Sequence, residues 1–280
     1  MKKILYYLET SIVPFLAAIT LMIVTASIFQ SIYQGMIALH IGITKGWGQL
    51  KDGGKLSLEI TNMMSRDVTY FISVASVLIC GIVFCFWYRK ETIGQQKGTF
   101  LSIAKAENIY QFAMLSIGCQ LFFSGVMSLV RPVFPEQFEH YGDAVEGIFG
   151  SNLLLVLVYT VIIAPVSEEL IFRGVILFRT RKVLPFLGAN VLQALFFGIY
   201  HRNMVQGIYA TVIGFLFGLL YRKYNSILAS ILLHMMINAS IILVMFFPET
   251  VTSYTIMAVA GAGAGILAFL RLRLWKELAP

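Results

Sequence analysis

The segment NLLLVLVYTVIIAPVSEELIFRGVILF, residues 152–178, is long and apolar enough to cross a bilayer, yet it contains three charged side chains. A membrane-spanning helix needs roughly 20 mostly apolar residues. An isolated charge at the bilayer centre costs about 2.5 kcal/mol or more on insertion scales, so it normally faces a polar interior and pairs with another group. The segment therefore predicts a transmembrane helix with a functional or paired set of charges, namely Glu168, Glu169 and Arg173.

The rest of the chain has the same apolar character. Of its 280 residues, 58% are hydrophobic and 12% are charged, whereas about a quarter of the residues in soluble domains are charged. Long apolar runs mark eight candidate spans, at about 11–29, 69–88, 108–130, 152–178, 184–200, 204–221, 226–247 and 251–270. We therefore predict an all-α fold, a polytopic transmembrane helix bundle of about eight spans.

Two stretches outside the central spans have features of their own. The first apolar run is long for a secretory signal, so we expect it to be retained as the first span, followed over residues 30–69 by a loop with an interfacial helix. In the last span, Gly261, Gly263 and Gly265 would let a neighbouring helix approach closely.

The basic residues predict the orientation of the spans. With the N-terminus inside, 14 of the 21 Lys and Arg residues fall on the cytoplasmic side, six fall outside and one lies within a span. The positive-inside rule then places both termini in the cytoplasm, and we expect a multi-pass protein of the plasma membrane. Because the basic residues form short clusters between apolar runs, the net charge of +7 does not indicate a nucleic-acid partner.

The spacing of the charges within residues 152–178 suggests different roles for the two carboxylates. Glu169 and Arg173 are four residues apart with the acid first, which is the favourable order for an ion pair on a helix. Glu168 points about 100° away from Glu169 around the helix axis. One carboxylate is then neutralised locally while the other faces a cavity, where it suits a general base.

Three further polar residues lie in otherwise apolar runs. His201 ends the run Phe196–His201, and His234 and Asn238 are four residues apart, so they share a helix face. An imidazole and a carboxamide held together in a dry site are suitable hydrogen-bond donors to an oxyanion. Each signal also has a structural interpretation, as an ion pair between helices, a packed histidine or a helix-bridging amide, but the combination in neighbouring spans favours a catalytic site.

The combined pattern resembles the CPBP family, which comprises CAAX proteases and bacteriocin-processing enzymes and is also called the Abi family. Its three motifs appear in order, as Glu168-Glu169-x-x-x-Arg173, Phe197-x-x-x-His201 and His234-x-x-x-Asn238. The resemblance implies an intramembrane endopeptidase with a motif-bearing core at residues 151–247. Residues 1–150 would then be spans without a recognisable motif, and residues 248–280 the last span and a cytoplasmic tail.

The resemblance also implies the role of each motif residue. Glu168 would be the general base that activates a water, and His201 would help to orient that water. His234 and Asn238 would stabilise the oxyanion, while Glu169 and Arg173 would support the helix. From the apolar runs alone, however, His201 falls near the outer end of its span, whereas Glu168 and His234 fall nearer the inner half.

The need for a metal stays open at this point. We expect that no cofactor is required, because carboxylate, imidazole and amide groups can supply a base and oxyanion donors without a metal. Zinc is the alternative, and its candidate ligands would be Glu168, His201 and His234. The chain has no His-Glu-x-x-His helix from which a zinc geometry could be read.

The expected partners are the lipid bilayer and a membrane-embedded or lipidated peptide. The substrate would be either a CAAX-type C-terminus or a leader- or bacteriocin-type peptide. A non-enzymatic bacteriocin-immunity or membrane scaffold protein of the same fold is the alternative function. A proton-relaying transporter is a third, which the lack of an evident internal repeat disfavours.

Overall fold

The computed structural model describes residues 2–64, 66–95, 98–139, 142 and 152–279. Within these ranges the regular secondary structure is entirely helical, so the all-α prediction is confirmed. The main helices are α1 Lys2–Lys45, α2 Gly53–Met63, α3 Arg66–Glu91, α4 Phe100–Ile103, α5 Ala106–Val130, α6 Leu153–Thr180, α7 Phe186–Tyr200, α8 Met204–Tyr224, α9 Ile227–Ala239 and α10 Val251–Arg271. Short 3₁₀ segments follow several of them, at Trp47–Lys51, Arg131–Val133, Ser240–Phe246 and Leu274–Leu278.

Most of these helices are long enough to cross a bilayer. Among the described residues, seven segments qualify by length and hydropathy: Glu9–Lys45, Val68–Glu91, Ala106–Val133, Leu153–Thr180, Met204–Tyr224, Ile227–Phe246 and Val251–Arg271. The remaining predicted span corresponds to α7, which is apolar but has only 15 residues. Large apolar side chains such as Leu16, Ile28 and Met245 are exposed on the outside, as a lipid solvent allows. The prediction of a polytopic bundle of about eight spans is confirmed.

The first helix is longer than the sequence predicts. The sequence predicts a span at 11–29 and a loop with an interfacial helix over 30–69, but α1 continues to Lys45. Its distal part still buries apolar side chains, including Ile37 and Ile41. The helix ends where Gly46 adopts a φ of 94°, a conformation that favours glycine. A separate helix, α2, follows within the predicted loop.

Helix α6 is the centre of the bundle. Every residue from Leu170 to Leu177 is buried, and α6 packs against α1, α3, α7, α8 and α9. Helix α7 with the second motif, helix α9 with the third, and α8 between them in sequence therefore surround the segment that carries the charged residues. This arrangement brings residues that are distant in sequence to one place inside the bundle.

Polar contacts gather several helix ends at one face. The carboxylate of Glu91, at the end of α3, pairs with Arg179 at the end of α6 and accepts a 2.6 Å hydrogen bond from Lys182. The hydroxyl of Tyr224, at the end of α8, donates to Asn108 at the start of α5 over 2.8 Å. These are helix ends that the alternation of predicted spans places on the same side of the membrane.

Glycines bring α5 and α10 into close contact. A Cβ atom added at Gly118 would lie 2.5 Å from the backbone nitrogen of Gly265, and one added at Gly261 would lie 2.3 Å from that of Phe122. The predicted close approach at Gly261 is therefore confirmed. Gly263 differs, because a Cβ there would meet nothing within 4 Å.

Candidate active site

Helix α6 winds more loosely than a regular α-helix on both sides of its carboxylates. The backbone is π-helical over Tyr159–Ile163 and over Leu170–Leu177, and it is α-helical between them, over Ala164–Glu169. Pro165 lies in the α-helical part, where it has no backbone N–H to donate. Because π-helical turns occur frequently at functional sites, this backbone marks the two glutamates as candidates for one.

Glu169 and Arg173 form a fully buried ion pair. Nη1 of Arg173 donates to Oε1 of Glu169 over 2.8 Å, and Nη2 donates to the backbone carbonyl of Gly214 over 2.8 Å. The centre of the guanidinium lies 4.7 Å from the ring centroid of Phe197 and 4.8 Å from that of Phe217. Arg173 is thus held by a carboxylate, a carbonyl and two aromatic rings, which together offset the cost of burying its charge.

His234 lies between the two carboxylates. Its Nδ1 atom is 2.9 Å from Oε1 of Glu169, and its Nε2 atom is 3.7 Å from Oε2 of Glu168. An ionised carboxylate only accepts hydrogen bonds, so the contact with Glu169 requires a proton on Nδ1. The imidazole also stacks on Phe217, with 4.6 Å between ring centroids. Glu169 and Phe217 thereby fix the orientation in which Nε2 faces Glu168.

Glu168 differs from Glu169 in its surroundings. Its side chain is buried, with the residue 8% exposed, whereas Glu169 is fully buried. Among the described residues, Glu169 receives the hydrogen bond from Arg173, and Glu168 makes no bond to a guanidinium. The two adjacent carboxylates are therefore in different chemical situations: one oxygen of Glu169 contacts both Arg173 and His234, whereas Glu168 faces the imidazole.

Asn238 lies four residues after His234 on α9. Its amide nitrogen donates to the backbone carbonyl of Thr160 over 2.8 Å. That carbonyl belongs to the first π-helical stretch of α6. An amide group has two N–H donors, so one remains for another acceptor after this bond is made.

His201 is connected to the same region by contacts with the aromatic ring of Phe197. Its ring centroid lies 5.0 Å from that of Phe197, which in turn lies 5.8 Å from the ring of His234. In the described part of the chain, the His201 ring has aromatic contacts but no hydrogen bond. The structure therefore brings Glu168 and His234 within 3.7 Å and places His201 beside them rather than in direct contact.

The depth of His201 follows from the length of α7. A helix of 15 residues is about 22 Å long, which is short of the roughly 30 Å hydrocarbon core. A helix that starts at one membrane surface and has this length ends before it reaches the other. The short length of α7 is therefore compatible with a His201 that lies below the far membrane surface, closer in depth to Glu168 than the apolar runs alone indicate.

The candidate metal ligands do not form a metal centre in this arrangement. Within the described residues, no group of three or more His, Cys, Asp or Glu side chains is placed to hold a metal ion. Glu168 and His234 are neighbours, and His201 and His234 each contact the ring of Phe197, with 5.0 and 5.8 Å between ring centroids. Of the three candidate zinc ligands, the structure places Glu168 and His234 as direct neighbours.

The sequence analysis did not identify several residues of this site. Phe217 and the carbonyl of Gly214 hold Arg173 and His234 but carry no polar side chain, so no pattern identified them. Asn190 and Gln193 are fully buried polar residues in the apolar helix α7. Their polarity within an apolar span was a usable signal, equivalent to the one that singled out His201.

Comparisons with known proteins find a protease family and a membrane peptidase. Residues 150–240 match the family described as Type II CAAX prenyl endopeptidase Rce1-like, and this segment contains all three motifs. The Bacillus subtilis (strain 168) protein named "Putative membrane peptidase YdiL" is 27% identical over 181 residues, which are 63% of this chain and 72% of that protein. No solved structure matches the chain significantly. The resemblance of the motifs to the CPBP family is thereby confirmed, and the protein is an intramembrane protease.

Proposed function

We propose that the protein hydrolyses a peptide bond in a membrane-associated protein or peptide, and that Glu168 activates the attacking water. The observation that carries this proposal is the unequal engagement of the two glutamates. Glu169 is bound to Arg173 and His234, whereas Glu168 faces the imidazole at 3.7 Å. A carboxylate without a guanidinium partner retains the capacity to accept a proton, as a general base must.

The reaction needs only water as a co-reactant. A carboxylate oxygen of Glu168 takes a proton from water while the water oxygen attacks the peptide carbonyl carbon, and His201 helps to orient that water. The carbonyl oxygen becomes an oxyanion in a tetrahedral intermediate. Glu168 then gives its proton to the amide nitrogen, the C–N bond breaks, and a carboxyl group and an amine are released.

His234 and Asn238 are suited to stabilise the oxyanion. Nδ1 of His234 carries a proton because it is bound to a carboxylate. In the neutral ring Nε2 then has only a lone pair, so Nε2 can donate to the oxyanion only when the ring carries a second proton. Glu169 accepts the hydrogen bond of Nδ1 at 2.9 Å in either protonation state of the ring. For Asn238, the bond to the Thr160 carbonyl orients the amide and leaves its second N–H for the oxyanion. Preorganised donors of this type contribute strongly to catalysis in a dry site.

The substrate we favour is a lipidated C-terminus of the CAAX type. The matched family is described as a CAAX prenyl endopeptidase, and a hydrocarbon-embedded site is accessible to a peptide that carries a lipid anchor. A leader- or bacteriocin-type peptide is the other substrate class of the family that the motifs resemble. Both are peptides delivered at or within the bilayer.

The test uses purified protein in liposomes with two peptide sets. One set carries an isoprenylated CAAX-type C-terminus, and the other contains the same peptides without the lipid. We expect cleavage of the lipidated set by the wild type and loss of cleavage in Glu168→Gln. Cleavage of neither set, together with an unchanged pool of released peptides in native membranes of Glu168→Gln cells, would contradict the proposed function.

A further inference from the structure

Helix α7 contains two buried polar side chains outside the three motifs. Asn190 and Gln193 are fully buried, although the helix around them is apolar. A buried carboxamide costs free energy unless its hydrogen bonds are made, so its presence in a membrane helix requires an explanation. Both residues precede His201, which directly follows the last residue of this helix, by 11 and 8 positions in the sequence.

Their hydrogen bonds cross from α7 to α8. Nε2 of Gln193 donates to Oδ1 of Asn190 over 2.8 Å and to the carbonyl of Gly214 over 3.0 Å. Nδ2 of Asn190 donates to the carbonyl of Phe215 over 3.1 Å. The two carboxamides thus bind consecutive carbonyls of α8 and each other, and we call this set the α7–α8 clamp.

The clamp meets the active site at one atom. The carbonyl oxygen of Gly214 accepts from Gln193 and also from Nη2 of Arg173, at 2.8 Å. Arg173 then continues through Glu169 to His234. One continuous set of hydrogen bonds therefore joins Asn190 to the imidazole that faces Glu168.

Two glycines of α8, Gly214 and Gly218, leave space for the side chains of Arg173 and Asn190. A Cβ atom added at Gly218 would lie 1.7 Å from Oδ1 of Asn190, and one added at Gly214 would lie 3.2 Å from Nη2 of Arg173. Any side chain at Gly218 would displace the Asn190 carboxamide. The glycines and the carboxamides fit each other, which fixes the register of α7 along α8.

We propose that Asn190 and Gln193 are positioning residues that set the place of His201 relative to Arg173 and His234; this rests on the proposed function. Within the described residues, His201 has no hydrogen bond that would hold its ring. Its position depends on how α7 is docked, and the clamp determines that docking. A displacement of about 1 Å in such a site lowers turnover by roughly 10²-fold.

Gln193→Met tests the proposal, because methionine keeps the length of the side chain and removes its hydrogen bonds. Gln120→Met is the matched control, since within the described ranges Gln120 on α5 donates to Ser124, at 2.9 Å, and lies outside the clamp. We expect Gln193→Met to lower kcat by about 10- to 100-fold with KM little changed, and Gln120→Met to leave both unchanged. An unchanged kcat per folded molecule in Gln193→Met would overturn the proposal.

A second measurement separates positioning from general support of the fold, and it does not depend on turnover. The ¹⁵N resonances of the His201 ring should shift in Gln193→Met and stay in place in Gln120→Met. In the His201→Ala background, Gln193→Met should lower kcat no further, because the group that it positions is absent. An unmoved His201 resonance, or an equal further loss of kcat in His201→Ala, would show that Gln193 only stabilises the fold. Glu168→Gln is measured in parallel. If this variant still cleaves the substrate, the proposed function is contradicted, whatever the result for Gln193→Met.

Discussion

Nδ1 of His234 lies 2.9 Å from Oε1 of Glu169, the same oxygen that accepts the hydrogen bond from Arg173. This single oxygen joins the first and third sequence motifs. It also explains why two adjacent glutamates are present, since one holds the arginine and the histidine while the other remains available to the reaction. The predictions below follow from this division of roles.

Glu169→Gln should destabilise the protein as well as reduce its activity. The amide removes the negative partner of a buried guanidinium, and breaking a buried ion pair typically costs about 3–5 kcal/mol. Thermal unfolding of the purified protein in detergent measures this loss, with Glu168→Gln as the matched variant. If Glu169→Gln unfolds at the wild-type temperature, the assignment of Glu169 as the structural partner of Arg173 is wrong.

Asn238→Ala should lower kcat by about 10²–10³-fold, because removal of one preorganised oxyanion donor typically has this effect. Asn152→Ala is the control, since Oδ1 of Asn152 accepts from the backbone nitrogens of Leu154 and Leu155 at the start of α6. Loss of such a cap costs about 1 kcal/mol of stability and should leave kcat unchanged. Equal kcat losses in the two variants would remove Asn238 from the reaction.

The sequence predicts the fold well where the lipid environment determines which residues must be apolar. Apolar runs locate the spans because lipid requires them. The charges of Glu168, Glu169 and Arg173 predict a functional or paired set on one span, because isolated charges are costly in hydrocarbon. The extension of α1 to Lys45 is not predicted, since residues 30–45 are only weakly apolar and their helix depends on contacts within the folded protein.

The site is predicted only at the level of residue types. Spacing on one helix indicates the Glu169–Arg173 contact, which links residues four positions apart. The contact of Glu169 with His234 joins residues 65 positions apart, and no local spacing encodes it. The Gly214 carbonyl is a backbone group, which side-chain patterns do not reveal.

A reporter fused after Pro280 should be active in the cytoplasm. The structure places the tail on the face that holds the end of α8, where Nε of Arg222 lies 3.4 Å from a carboxylate oxygen of Glu277. The positive-inside rule assigns this basic face to the cytoplasm. A cysteine at residue 95, next to the same face, should react with a membrane-impermeant reagent only after the cells are opened. Reporter activity outside the cytoplasm would reverse the predicted orientation.

Removal of metal ions should leave peptide cleavage intact. The proposed reaction uses a carboxylate base and hydrogen-bond donors, and the candidate ligands Glu168, His201 and His234 are not arranged as a three-residue metal site among the described residues. The measurement is cleavage by purified protein before and after dialysis against a chelator, with metal content determined on the same samples. Activity that is lost on chelation and restored by zinc alone would contradict the metal-free mechanism.

The most direct test of the account is the cleavage rate of Glu168→Gln per folded molecule. Glutamine retains the volume and hydrogen-bonding capacity of glutamate but cannot accept the proton of water, and loss of a general base typically lowers turnover by about 10²–10⁴-fold. Single-turnover cleavage of a substrate peptide is measured with the thermal unfolding of the same sample. The account predicts a rate reduced within that range together with wild-type unfolding; a near-wild-type rate, or a rate lost only in proportion to unfolded protein, would contradict it.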